Sequence, residues 1–315
     1  MFHLYLLLNT YFLLLLSFFF LSEVLFFYKR EKLFYKRENF EKYLFPPSIL
    51  FMKRCSLQRL LQGGAPPAVY CSGLNYMGHA RETGMLDKLG SYPIVTMKSA
   101  SSVHVVLPYH LPTTATSTVH GDLAPDARSA VQSFGFIDIP ACCQEPPEVD
   151  YEGELAIVIS ERCKNVPEDA ADRVILGYCC ALDITARRWQ GKKGGNQWVY
   201  SKSFDTFCPL CDDVARLQNL AEKYITTHLN GQLVQCAPFS DLIFSPQKLV
   251  SFLSQGTTLE KGTVILTGTP SGVGYARKAA DGVSPEPRYL RVGDVLTVTV
   301  DGLAPLTCTV RNAVA

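Results

Sequence analysis

A chain of 315 residues with 47% hydrophobic content and a formal net charge of +1 has ample material for one large domain or two modest ones. Its 30 basic and 29 acidic residues leave no domain-wide basic excess of the kind a nucleic-acid binder carries. The 11 cysteines are scattered and odd in number, and no Asn-x-Ser/Thr sequon occurs, so free thiols in a reducing compartment are expected rather than a secreted disulfide scaffold.

The first 51 residues form an extension of different composition. Residues 2–22 contain no Asp, Glu, Lys or Arg, and Leu and Phe dominate through Phe27. That length can span a bilayer as a helix. Lys29, Arg30, Lys32, Lys36 and Arg37 follow, which would leave the rest of the chain in the cytosol. The repeated Phe-Tyr-Lys-Arg-Glu at 27–31 and 34–38 supports a second reading, in which residues 1–51 are spurious and translation begins at Met52. Residues 52–67 are basic, Ser-containing and free of acids, the composition of a short mitochondrial presequence. The expected location is therefore mitochondrial or cytoplasmic, or membrane-anchored if residues 1–28 are genuine. Membrane contact is expected only through those residues.

Gly63-Gly64-Ala65-Pro66-Pro67 marks a linker, so that 52–70 is a basic leader. Ala68–Cys71 then reads as a short strand, followed by a helical turn carrying His79 and Glu82. Residues three apart share a helix face, and a carboxylate beside an imidazole raises its basicity and selects its tautomer, as a general base requires. An ordinary surface pair would look the same. Residues 104–134 are polar and aperiodic, which suggests a long loop or insertion, and His104, His110 and His120 have no metal-site spacing. From Phe136 onward the pattern predicts strands over 155–159, 175–182, 233–236, 263–267, 288–291 and 295–300. Helices are expected over 166–173, 213–220 and 246–254. The order describes a mainly β domain with helical decoration, an α+β class rather than alternating βα units.

Glu152 and Glu154 sit two apart at the head of the hydrophobic run Leu155–Ile159, so both carboxylates leave one face of a strand. Two such acids need either water or a cation, and Mg²⁺, Mn²⁺ and Ca²⁺ favour all-oxygen sites. The Gly-rich loop Thr267–Gly274 follows another apolar strand. It lacks the Gly-Lys-Ser/Thr of a phosphate loop, and Pro270 removes a donor, yet its amides and hydroxyls suit a small carboxylate. Lys202, between Trp198 and Phe204, is either a snorkelling surface group or a site charge. Cys208-Pro209-Leu210-Cys211 is a lone CxxC and weak evidence for zinc or redox chemistry.

In chain order, six segments resemble motifs of the fumarylacetoacetate hydrolase family. They are Gly73–Glu82 (GxNYxxHxxE), Pro93–Ser102, Asp150–Leu155 (DYEGEL), Asp183–Gln190 (DxTARxxQ), Lys202–Phe207 (KSFDTF) and Thr267–Gly274 (TGTPxGVG). Thr96 stands where the family usually has Phe, Arg188 where Asp is common, and the stretch from Lys98 to Glu152 is longer than usual. Residues 1–70 show no counterpart of the large N-terminal SH3-like domain, so the chain resembles the short single-domain branch of acylpyruvases, oxaloacetate decarboxylases and tautomerases. The resemblance implies a catalytic domain over 71–315, built as a rolled mixed β-sandwich with an insertion near 104–134, and a homodimer. It also implies a divalent metal, Mg²⁺ or else Mn²⁺ or Ca²⁺, held by Glu152, Glu154 and Asp183, and a small 2-oxo acid substrate.

In the main reading the enzyme hydrolyses a carbon–carbon bond of an acylpyruvate. His79 and Glu82 would activate water, Lys202 would stabilise developing charge, and Arg187, Gln190 and Thr269 would orient the substrate. Oxaloacetate decarboxylation or tautomerisation at the same site is the alternative, and a non-catalytic, membrane-tethered relative is a second one.

Overall fold

The protein is described by a computed structural model over residues 54–108, 134–277 and 286–314, all within the unit Met52–Ala315. The expectations for residues 1–51 and for 109–133 of the insertion lie outside the described residues. Among the described residues no helix is long and apolar enough to cross a membrane, and the longest, Pro246–Ser254, has 9 residues. This corrects the membrane-anchored expectation; residues 1–28, on which it rested, are not among those described.

The strands in chain order are β1 (Cys55–Ser56), β2 (Val69–Gly73), β3 (Ile94–Lys98), β4 (Val103–Val106), β5 (Gly135–Ile139), β6 (Val149–Asp150), β7 (Gly153–Ile159) and β8 (Ile175–Leu182). They continue with β9 (Thr185–Ala186), β10 (Cys208–Cys211), β11 (Asp213–Val214), β12 (Tyr224–Leu229), β13 (Gln232–Pro238), β14 (Val264–Leu266), β15 (Val295–Val300) and β16 (Leu306–Asn312). Seven of them make one mixed sheet in the order β3-β2-β14-β7-β8-β10-β4, and five make a second in the order β13-β12-β15-β16-β5. The result is the expected α+β class, with a curled, partially closed sheet of the type found in the C-terminal domain of the resembled family.

The two sheets differ in burial for a physical reason. On β12, β15 and β16 buried residues alternate with more exposed ones, the sign of a sheet with one face on the core. All of β7 and nearly all of β8 are buried, because β12 and β15 cover one face and the site loops cover the other. Gly153 identifies which face is which. A Cβ there would lie 2.0 Å from Thr227 Oγ1 on β12, so only glycine lets the sheets approach so closely. With a period of two, Leu155, Ile157 and Ile159 face β12 and β15, whereas Glu152 and Glu154 emerge on the opposite face.

Strands 155–159, 175–182, 233–236, 263–267 and 295–300 and helix 246–254 are found with small boundary changes. Ser245 caps that helix by accepting from the Lys248 N–H, with Pro246 in its first turn. Three local expectations are corrected. Residues 213–220 are not a helix, because Asp213 and Val214 pair with Ser56 and Cys55; only a short 3-10 turn, Leu220–Glu222, follows. Residues 288–291 are not a strand, since Arg288 turns its guanidinium onto Asp294 and the Arg291 N–H does likewise. His104 belongs to β4, parallel to β10, rather than to the loop. Cys208 and Cys211 lie in β10, fully buried.

Asp294 anchors the second sheet. It accepts from Asn230 in the β12–β13 turn, from Arg288 and from the Arg291 N–H. Burial pushes its carboxyl up, but these hydrogen bonds outweigh burial and hold it below the ordinary range. The stability it contributes is thus present above the unfolded value of about 3.9 and is lost as pH falls through that value toward the lower native one. Thermal melts from pH 6 to pH 3 should show a shallower acid decline in Asp294→Asn than in the wild type.

Candidate active site

The β7–β8 register brings three acids together. Gly153 pairs with Leu182, and the Asp183 N–H donates to Glu152 O at 2.8 Å, so Glu152 and Asp183 lie directly opposite each other. Glu154, opposite Ala181, is their diagonal neighbour on the same face. One carboxylate oxygen from each of Glu152, Glu154 and Asp183 falls within 4.8 Å of the others, and all three residues are buried. Among the described residues this is the one His/Cys/Asp/Glu group with metal-site spacing.

Like charges placed this closely need compensation. Lys202 Nζ donates to Glu152 Oε2 at 2.8 Å, Asp183 Oδ2 at 2.6 Å and Thr185 Oγ1 at 2.8 Å, which uses all three of its hydrogens. Lys98 Nζ donates to Asp183 Oδ1 at 2.6 Å and Ile184 O at 3.1 Å. Arg187 donates through Nε to Asp150 Oδ2 and through Nη1 to Gln190 Oε1, both at 2.8 Å. Its Nη2 lies 2.7 Å from Glu152 Oε1 as an ion-pair contact without hydrogen-bond geometry. Burial opposes the charge on Glu152, but Lys202 and Arg187 overcome it and hold this carboxyl well below its usual range. Burial likewise works against the Lys202 ammonium, and Asp183 and Glu152 more than restore it.

Glu154 is different. Its Oε2 accepts the Gly268 N–H at 2.7 Å, but no lysine or arginine pairs with it among the described residues. Burial, then Asp183 and Glu152, push its carboxyl well above the ordinary range. Among the described residues the ion-pair partners of Asp150, Glu152 and Asp183 are Lys98, Lys202 and Arg187, so the four acids, with Glu154, outnumber the cations by one. An all-oxygen donor set with an unpaired carboxylate fits a hard divalent cation, which Glu152, Glu154 and Asp183 would hold.

His79 and Glu82 lie on the helix Met77–Glu82, with Nδ1 and Oε2 3.3 Å apart. Glu82 is steadied from behind, its Oε1 accepting the Gly272 N–H at 2.8 Å. His79 lines the cavity, and since Nδ1 faces Glu82, Nε2 is the nitrogen left for chemistry. The cavity of about 60 Å³ is also lined by the three acids, Arg187, Gln190, Lys202 and Thr269. Thr269 Oγ1 donates to Gly153 O and accepts from Gln235 Nε2, so its hydroxyl proton is used inside the fold. Every site residue expected from the sequence except Glu82 therefore borders one cavity.

Three residues of the site were missed. Lys98 lies inside one of the recognised segments, and its signal was β3 itself, where the polar residues Thr96 and Lys98 take the buried positions. Asp150 opens Asp-Tyr-Glu-Gly-Glu-Leu and orients Arg187, while its Oδ1 accepts from the Tyr151 and Gly274 N–H groups. Gln235, which ties Gly153 to Thr269 and Pro270, gave no sequence signal.

The fumarylacetoacetate (FAA) hydrolase C-terminal family model matches residues 68–311. The Xenopus laevis protein named oxaloacetate tautomerase fahd2, mitochondrial, is 33% identical over 259 residues, covering 81% of this chain and 69% of that protein. The Bacillus subtilis oxaloacetate tautomerase YisK is 34% identical, covering 76% and 68%. A crystal structure of 5-carboxymethyl-2-hydroxymuconate delta-isomerase from Mycobacterium smegmatis superposes with a TM-score of 0.59 at 31% identity, covering 80% of this chain and 81% of that one. The chain belongs to the FAA hydrolase family.

Lys98→Met should lower unfolding free energy by about 3 kcal/mol in chemical denaturation, because Asp183 then stays buried with one partner fewer. Burial and the neighbouring acids push the Glu154 carboxyl up and so favour its neutral form, whereas ligating a cation favours the carboxylate. Mn²⁺ affinity should therefore rise with pH, and calorimetry in buffers of different ionisation enthalpy should detect proton release that Glu154→Gln abolishes.

Proposed function

We propose that the protein is a divalent-metal-dependent tautomerase of small 2-oxo acids, acting on oxaloacetate or a close analogue. The observation that carries this reading is the three-carboxylate cluster in one small cavity with the His79 imidazole. The similarity to two proteins named oxaloacetate tautomerases favours it over acylpyruvate hydrolysis, the main expectation from the sequence.

Keto–enol interconversion moves one proton between C3 and the oxygen on C2, so its proton count is zero overall. His79 Nε2 takes the proton from C3, and the imidazolium returns it to the neighbouring oxygen; the reverse direction uses the same two positions. Glu82 steadies the imidazolium formed between the two transfers, itself held by the Gly272 N–H. When bound, the metal supplies positive charge beside the 2-oxo acid's oxygens, which makes the C3 proton more acidic. Lys202 and Lys98 hold Glu152 and Asp183 in position, while Arg187 and Gln190 border the space for the substrate. A divalent cation would also add positive charge to this cluster, favouring an anionic substrate.

The test is an assay of purified residues 52–315 on enol-oxaloacetate, with acetylpyruvate cleavage and oxaloacetate decarboxylation measured in parallel. Mg²⁺- or Mn²⁺-dependent loss of enol absorbance should dominate, falling at least about 100-fold in His79→Ala, the scale of a lost general base. Equal activity after chelation, or dominant cleavage of acetylpyruvate, would overturn the assignment.

A further inference from the structure

Strand β3 is built inside out. Val95 and Met97 are 37% and 38% exposed, whereas Thr96 and Lys98 are buried. Lys98 explains half of this inversion, since its ammonium reaches Asp183 in the cluster. Thr96 is two residues earlier on the same strand face, so its side chain points to the same cavity, which it lines. Across the sheet it pairs with Cys71, another lining residue.

Thr96 is 9% exposed, and its Oγ1 is buried with no hydrogen-bond partner among the described residues. Ser72 Oγ, on the neighbouring strand, is in the same condition. A buried hydroxyl without a partner is unfavourable, and valine would fill the same volume without that penalty. Leu74, Met85 and Trp198 contribute apolar surface to the same cavity. The cavity therefore combines the carboxylates and their cations with apolar side chains and two unsatisfied hydroxyls, those of Thr96 and Ser72.

We propose that Thr96 is a specificity-determining residue whose hydroxyl donates to the second carboxylate of a four-carbon 2-oxo diacid. This rests on the tautomerase reading. The reacting 2-oxo carboxylate end belongs at the acidic cluster, and Thr96 lines the same cavity from β3, where its hydroxyl can meet the other end of the molecule. A substrate with a methyl group at that end would leave Thr96 unpaired; one with a carboxylate pairs it in a charge-assisted bond.

The test compares wild type, Thr96→Val and Thr96→Ser in oxaloacetate tautomerisation, with oxalate and 2-oxobutyrate as competitors. Oxalate has no remote end, and 2-oxobutyrate carries a methyl group there. In Thr96→Val, KM for oxaloacetate should rise about tenfold with kcat little changed, and oxalate inhibition should stay as in wild type. Inhibition by 2-oxobutyrate should hold or strengthen, Tm should hold or rise, and Thr96→Ser should restore the oxaloacetate preference. Unchanged preference for the diacid in Thr96→Val, or equal weakening of all three ligands with a lowered Tm, would overturn the proposal. If the wild type does not convert oxaloacetate, the tautomerase reading fails by itself. Calorimetry of the Mn²⁺-loaded protein with oxaloacetate and 2-oxobutyrate then decides on Thr96: a binding preference lost in Thr96→Val supports it, and one that is retained or never present overturns it.

Discussion

Glu152 and Asp183 face each other across β7 and β8 with nothing between their backbones but ladder hydrogen bonds. Two carboxylates in that relation repel, and a third, Glu154, stands on the diagonal. Much of the remaining site can be understood as a response to this juxtaposition. Lys98 arrives from β3 and Lys202 from the helix Trp198–Lys202, while Arg187 follows β9 and is itself oriented by Asp150. Lys98 and Lys202 are buried and Arg187 partly so, which makes each unfavourable alone; together with the acids they form a network whose members depend on one another.

The network stops one charge short, at Glu154. A purely structural cluster would gain from a fourth cation or from an amide in place of this acid. Its deficit gives the site a use for a divalent ion and leaves room for an anionic ligand afterwards. The fold supports this arrangement at a distance: Gly153 lets β12 approach, and Gln235 then ties the start of β7 to the Thr269–Pro270 loop. Asn75 does the same for the loop before the His79 helix, donating to Thr267 O and Phe244 O and accepting the Phe244 N–H. These residues touch no reacting group, yet they hold the elements that do.

Legibility followed range. The spacing of Glu152 and Glu154 predicts a shared strand face, and the spacing of His79 and Glu82 predicts a shared helix face; both are local periodicities, and both are present. Central strands with continuous apolar runs, such as β7 and β8, were readable because burial on both faces leaves a plain signature. Residues 213–220 misled because pairing with Cys55 and Ser56, more than 150 positions away, overrode the local pattern. The edge strand β3 was unreadable for a related reason, since its polar side faces inward and its apolar side faces out.

Taken alone, the sequence determined the chemical types available: a pair of acids on one strand face, a histidine with its carboxylate, a glycine-rich loop and the order of segments that places the chain in its family. Such information is carried by short spacings, which the backbone converts into geometry without help from distant residues. Only the tertiary structure decided that Asp183 sits opposite Glu152, that Lys98 and Asp150 belong to the site, and that Glu154 is the acid left without a cation. Those outcomes depend on strand register and on which face of each strand is covered, and both are set when the sheets pack.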